Sequence, residues 1–165
     1  MLKPIVALSV AIFTGSAVAD TVPITGNIQP KCVIVTDTVG VYGNPTPSKL
    51  TTEAASGGVE PIVRFDVISA GYYKAVVSYP NSFSSSPILD DVVNWTGDVT
   101  VAEVTDPLMS AYDQDKITYN NIMEVDLSVA GSTWFKVESV ADYGYDKSFP
   151  AGEYTAVVDA ECVAL

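Results

Sequence analysis

Apolar and polar residues alternate with a period of two along most of this 165-residue chain. In residues 59–67, VEPIVRFDV, Val59, Pro61, Val63, Phe65 and Val67 share one parity, and Glu60, Ile62, Arg64 and Asp66 the other. Residues 72–80, YYKAVVSYP, set Tyr73, Ala75, Val77 and Tyr79 against Lys74, Val76 and Ser78. The period recurs at Val99 and Val101, at Met123, Val125, Leu127 and Val129, and in Trp134-Phe135-Lys136-Val137. It returns a last time at Tyr154, Ala156, Val158, Ala160 and Cys162. Successive side chains of a strand point to opposite faces, and β-branched and aromatic residues suit a half-buried pleated surface. The runs read as strands.

Turn-forming residues separate them: Gly43-Asn44-Pro45, Gly57-Gly58, Ala70-Gly71, Pro80-Asn81, residues 84–87, Gly131-Ser132 and Pro150-Ala151-Gly152. About seven short strands spaced in this way predict an all-β, Ig-like antiparallel sandwich, because an antiparallel sheet with one wet face produces this alternation. Residues 48–58, SKLTTEAASGG, have room for one helical turn, which the glycines end. Residues 86–93, SPILDDVV, read equally as strand or short helix. No repeat, linker or low-complexity block divides the chain, so one domain is expected.

The start of the chain breaks the pattern. Residues 1–19 carry Lys3, an apolar run from Ile5 to Phe13, and Ala17-Val18-Ala19 as a small-x-small cleavage site. These are the three parts of a signal peptide, and the run is shorter than the roughly 20 apolar residues a membrane span needs. The expectation is an exported chain whose first mature residue is Asp20, leaving 146 residues for one core. The formal charge is −12, or −13 without Lys3. An acidic surface of that size argues against nucleic acid or anionic lipid as a partner.

Candidate chemistry is sparse. The chain has no histidine, which excludes every His-based triad, proton shuttle or zinc ligand set. Asp90-Asp91 and Asp113 with Asp115 are the available acid pairs, and they read as solvated loops in so acidic a chain. Residues 112–116, YDQDK, offer oxygen ligands but lack the spaced third ligand and glycine of a calcium loop. No enzymatic activity, metal or cofactor is expected. Tyr72, Tyr73, Tyr79, Tyr112, Tyr143 and Tyr145 supply aromatic faces that a sugar could use, although alternation assigns at least half of them to the core. Cys32 and Cys162 stand at opposite ends of the mature chain. In an oxidising compartment an even pair most simply forms one disulfide; two free thiols or a metal site are the alternatives.

Residues 20–32, DTVPITGNIQPKC, pose a separate problem. Val22, Ile24, Gly26 and Ile28 share one face of an extended segment directly after the cleavage site, before any partner strand exists. A signal peptide, this alternating tail, an Ig-like strand pattern and a closing FPAGEYTAVVDAECVAL together resemble a bacterial fimbrial (pilus) subunit of the chaperone–usher pathway. The tail VPITGNIQP is similar to the colonisation-factor branch of that family. The resemblance implies an Ig-like sandwich lacking its final strand, with an open groove between its first and last strands. A periplasmic chaperone lends a strand, and at the outer-membrane usher the N-terminal extension of the next subunit replaces it.

On that resemblance, residues 20–29 are the donor extension and 30–165 the pilin domain. Val22, Ile24 and Ile28 would fill pockets, and Gly26 would sit where the acceptor backbone approaches closely. The acceptor groove would include the last-strand face Tyr154, Ala156, Val158 and Ala160. The implied protein is a structural subunit of an adhesive pilus. It is exported through the periplasm to the cell surface, and its partners are copies of itself, a chaperone and an usher. A single-domain fimbrial adhesin or carbohydrate-binding sandwich, with a host glycan or protein receptor, is the alternative. Two features depart from the family: Cys162 lies in the last strand rather than near Cys32, and the penultimate tyrosine of one pilin branch is absent. A first-to-last bridge is compatible with a groove only if the cysteines meet at its end.

Overall fold

The computed structural model describes residues 23–27 and 31–165. The expected signal peptide, and Val22 and Ile28 of the expected donor, lie outside the described residues. Among those described, ten strands form two antiparallel sheets. The first contains β1 (Cys32–Thr38), β2 (Gly43–Thr46), β3 (Lys49–Thr51), β4 (Ile62–Val67), β6 (Val93–Val104) and β9 (Gly131–Tyr143). The second runs β10 (Asp159–Ala164), β5 (Tyr73–Ser78), β8 (Ile122–Asp126), β7 (Ile117–Tyr119). The chain is an all-β sandwich.

β9 organises the first sheet. Its first half pairs with β4, its second half with β3, and β6 runs along its whole other side. β1 closes one edge on β4. The predicted parity decides what is buried: Val63, Phe65, Val67, Val99, Phe135 and Val137 from the first sheet meet Ala75, Val77, Met123 and Val125 from the second. Phe65 and Phe135 touch edge to face, with centroids 5.4 Å apart. Met109, Tyr112 and Leu127 plug the core from the connecting segments.

Three expectations need adjustment. The strands are not all short, because β6 and β9 reach 12 and 13 residues. The inward face of β6 runs through Val93, Trp95, Gly97 and Val99, so its apolar parity is interrupted only at Gly97. Residues 48–58 do hold the expected single turn, a 3-10 turn at Ala54–Ser56 that follows β3 and that Gly57 ends at φ 79°. Residues 86–92 are irregular, and β6 starts at Val93. The last ladder begins at Asp159 rather than at Tyr154, although half-burial of every second residue continues back to Tyr154. Asp159 pairs with Ser78, the last residue of β5. Two positions later Pro80 has no N–H to extend the ladder.

Cys32 and Cys162 are disulfide-bonded, with Cα atoms 6.3 Å apart. The bond ties the start of β1 to β10, and so joins the outer strands of the two sheets. No helix among the described residues is long and apolar enough to cross a membrane.

Candidate functional site

β1 pairs only with β4, and β10 only with β5, so each ends its sheet with one backbone edge unpartnered among the described strands. Between these edges lies a groove of about 620 Å³. One wall is Thr36 and residues 38–42; the other is Gly152 and residues 154–158. Leu50, Thr52, Pro61, Val63 and Ser139 contribute to the floor. Cys32 and Cys162 lie outside this lining, at the end where β1 and β10 converge. The covalent tie therefore closes one end of the groove and leaves its length free.

The register shows that the groove opens onto core-facing positions. Ile34 pairs with Phe65 and Thr36 with Val63, which puts Ile34 and Thr36 on the inner face of β1. Phe65 is 0% exposed, whereas Ile34 on the same face is 36% exposed. Opposite, Tyr154, Ala156 and Val158 are only half-buried. Inner-face residues are uncovered because no described residue fills the space between β1 and the 152–158 segment. Ala160 packs against the core from β10, beyond the groove lining.

Backbone groups add to the opening. Thr155 exchanges hydrogen bonds with Ser85, 2.9 Å in one direction and 3.2 Å in the other, and its carbonyl also accepts from the Ser84 amide at 2.8 Å. From there to Asp159 the chain belongs to no ladder. Unpaired strand edges beside exposed apolar surface form a template for another strand.

Aromatic residues cluster at the end remote from the disulfide. Phe83 contacts Tyr42, Trp95, Phe149 and Tyr154, with centroids 4.7 to 6.5 Å apart. Tyr42 bonds Ser139 Oγ at 2.8 Å, and burial pushes its phenol pKa up. Burial also raises Tyr154, whose hydroxyl donates to the Pro150 carbonyl at 2.7 Å. The sequence reading did not single out Phe83, Trp95 or Phe149. Phe83 and Phe149 stand in irregular segments, where no period marks them.

The described part of the tail, Pro23 to Asn27, is exposed throughout. Ile24 is 99% exposed, and a Cβ added at Gly26 would meet nothing within 4 Å. Within one chain, this stretch does not occupy the groove. Val22 and Ile28 fall outside the described residues.

The other candidates go elsewhere. Asp90 is held by the Tyr143 hydroxyl and by Lys147 at 3.2 Å, which keep its carboxyl below the usual range. Asp113 accepts the Val101 amide at 3.0 Å and pairs with Lys116 at 3.5 Å, so this part of YDQDK braces a strand. Tyr112 and Tyr143 are buried, Tyr73 and Tyr79 half-buried, and Tyr72 and Tyr145 exposed. Comparison of the chain with protein-family models, curated proteins and solved structures returned no match.

Proposed function

We propose that this chain is the structural subunit of a bacterial adhesive pilus, an incomplete Ig-like sandwich that polymerises by inserting its N-terminal extension into the groove of the next copy. The uncovered inner face of β1 supports the reading most directly: Ile34 and Thr36 point toward the core and meet solvent. The groove has two unpaired backbone walls, and the chain carries an exposed alternating tail that leaves its own groove empty at the described positions. Chaperone, usher and surface location follow from the resemblance of the two chain ends to fimbrial subunits.

Magnitudes say what such a strand must do. Burying Val22, Ile24 and Ile28 would contribute roughly 1.5–3 kcal/mol each. Ordering the backbone of residues 22–28 costs about 1–2 kcal/mol per residue. Side chains alone therefore leave the balance near zero or unfavourable. Ladder bonds to both walls, at about 0.5–1.5 kcal/mol apiece, decide it. A strand is required rather than a string of apolar groups.

Deletion of residues 21–28 tests the reading. The shortened chain should accumulate as monomer or as a chaperone complex and show no fibres by electron microscopy. Normal polymerisation of the deletion variant would refute it.

A further inference from the structure

We infer that the apolar end of the sandwich around Lys31, formed by Ile68, Tyr72 and Leu165, is the seat on which the adjoining copy docks. The inference rests on the polymerisation reading above. The Ile68 amide donates to the Lys31 carbonyl at 3.0 Å, and the Leu165 amide to the Tyr72 carbonyl at 3.1 Å. These bonds gather the base of the tail, the β4–β5 connection and the chain's last residue at one end. There Ile68 is 60% exposed, Tyr72 56% and Leu165 67%.

The occupant follows from chain length. Only Gln29 and Pro30 separate Ile28 from Lys31, a reach of roughly 10 Å for a fully extended chain. A copy that holds Ile28 in its groove must therefore press against this end. Its orientation follows from propagation. If its disulfide end faced the seat, its own tail would emerge at the same junction, and assembly would stop at pairs. An open filament needs a head-to-tail contact. The seat then meets the opposite end of the neighbour's groove, where Val39 and Val41 are exposed and Glu153 stands between two lining residues.

Charge fits this match. Arg64, Lys74, Lys116, Lys136 and Lys147 are each engaged in an ion pair. Lys31 and Lys49 have no ion pair among the described residues, and of the two Lys31 stands at the tail base. In a chain of net charge −12, an unspent cation at the tail base complements the Glu153 end of a second copy.

The test compares polymers of the full-length chain with those of Ile68→Ser/Tyr72→Ser/Leu165→Ser. All three substitutions are at exposed positions and leave the charge unchanged. Unheated electrophoresis reports tail insertion as an oligomer ladder, and electron micrographs report stiffness. The expected result is a ladder from both proteins, with the persistence length of variant fibres at least threefold shorter. A ladder from both with equal stiffness overturns the docking seat and leaves the polymerisation reading intact. Absence of a ladder from the unsubstituted chain overturns both. A charge exchange gives an independent reading: Lys31→Glu and Glu153→Lys should each slow fibre growth in dilute salt, and their combination should restore it. Failure of the combination to restore growth counts against the contact.

Discussion

Gly97 is one position where a single hydrogen decides the packing of this sandwich. It lies on the inner face of β6, where an added Cβ would come within 2.4 Å of the Glu138 carbonyl oxygen and 2.8 Å of the Tyr79 ring. The first of these is backbone in the adjoining strand and cannot swing away. Gly97→Ala should destabilise the fold by about 1–3 kcal/mol in urea unfolding, the usual scale for overpacking. Ile34 and Phe65 form the opposite kind of contrast. Phe65→Ala should cost roughly 3–5 kcal/mol, as removal of a buried aromatic does. Ile34→Ser, on the same face but uncovered, should change monomer stability far less and weaken binding of a peptide spanning residues 20–30. Asp90 brings in pH. The Tyr143 hydroxyl first, then Lys147, depress its pKa, so its contribution is complete above the unfolded value near 4 and is lost as pH falls through the folded value. Lys147 is raised by the same partnership, so its share holds below about pH 10 and disappears as pH rises through its folded value. Tyr143→Phe should return Asp90 toward the ordinary carboxylate range, as an NMR titration of its carboxyl will record.

At the scale of elements, the sheet edges are treated unequally. The twelve-residue β6 is itself an outer strand, yet part of its free edge is occupied. The Val101 amide donates to Asp113 at 3.0 Å, and the Val99 carbonyl accepts from Lys116 Nζ at 2.6 Å. Lys116 also pairs with Asp98 at 3.3 Å. The segment that delivers both side chains is Pro107–Ala111 and the turn of helix α1 (Tyr112–Asp115), anchored by buried Met109 and Tyr112. Charged side chains bonded to an edge deny it to a foreign strand, whereas among the described residues β1 and the 152–158 segment carry no such guard. Asp113→Ala/Lys116→Ala should raise light scattering on incubation several-fold above the unsubstituted chain, with only a small shift in melting temperature.

For the whole molecule, the disulfide and the groove act together. The bond closes a loop with a sequence separation of 130, for which the chain-entropy account gives about 5 kcal/mol. It also pins β1 to β10 at one point, so the walls beyond keep their spacing while the strip between them stays open. Cys32→Ala/Cys162→Ala should lower the free energy of unfolding measured in urea by an amount of that order. The same variant should bind the tail peptide more weakly, because its walls are no longer held apart at the preferred distance. A well-folded variant with unchanged peptide affinity would show that the bond serves stability alone.

Much of the sandwich was legible because period two is written locally. Val63, Phe65 and Val67, or Met123, Val125 and Leu127, announce their burial whatever they pack against. The tail announces itself in the same way, by alternation at Ile24 with nothing local to pair it. Facts of pairing across long sequence separations were not legible. The sequence could not say that Pro80 would stop the β5–β10 ladder, that Gly97 would receive the Tyr79 ring, or that Phe83 and Phe149 would share one cluster. Parity assigns a residue to a face, but only the assembled sheets decide whether that face is covered. Ile34 and Phe65 obey the same alternation, and the tertiary structure leaves one open while it seals the other.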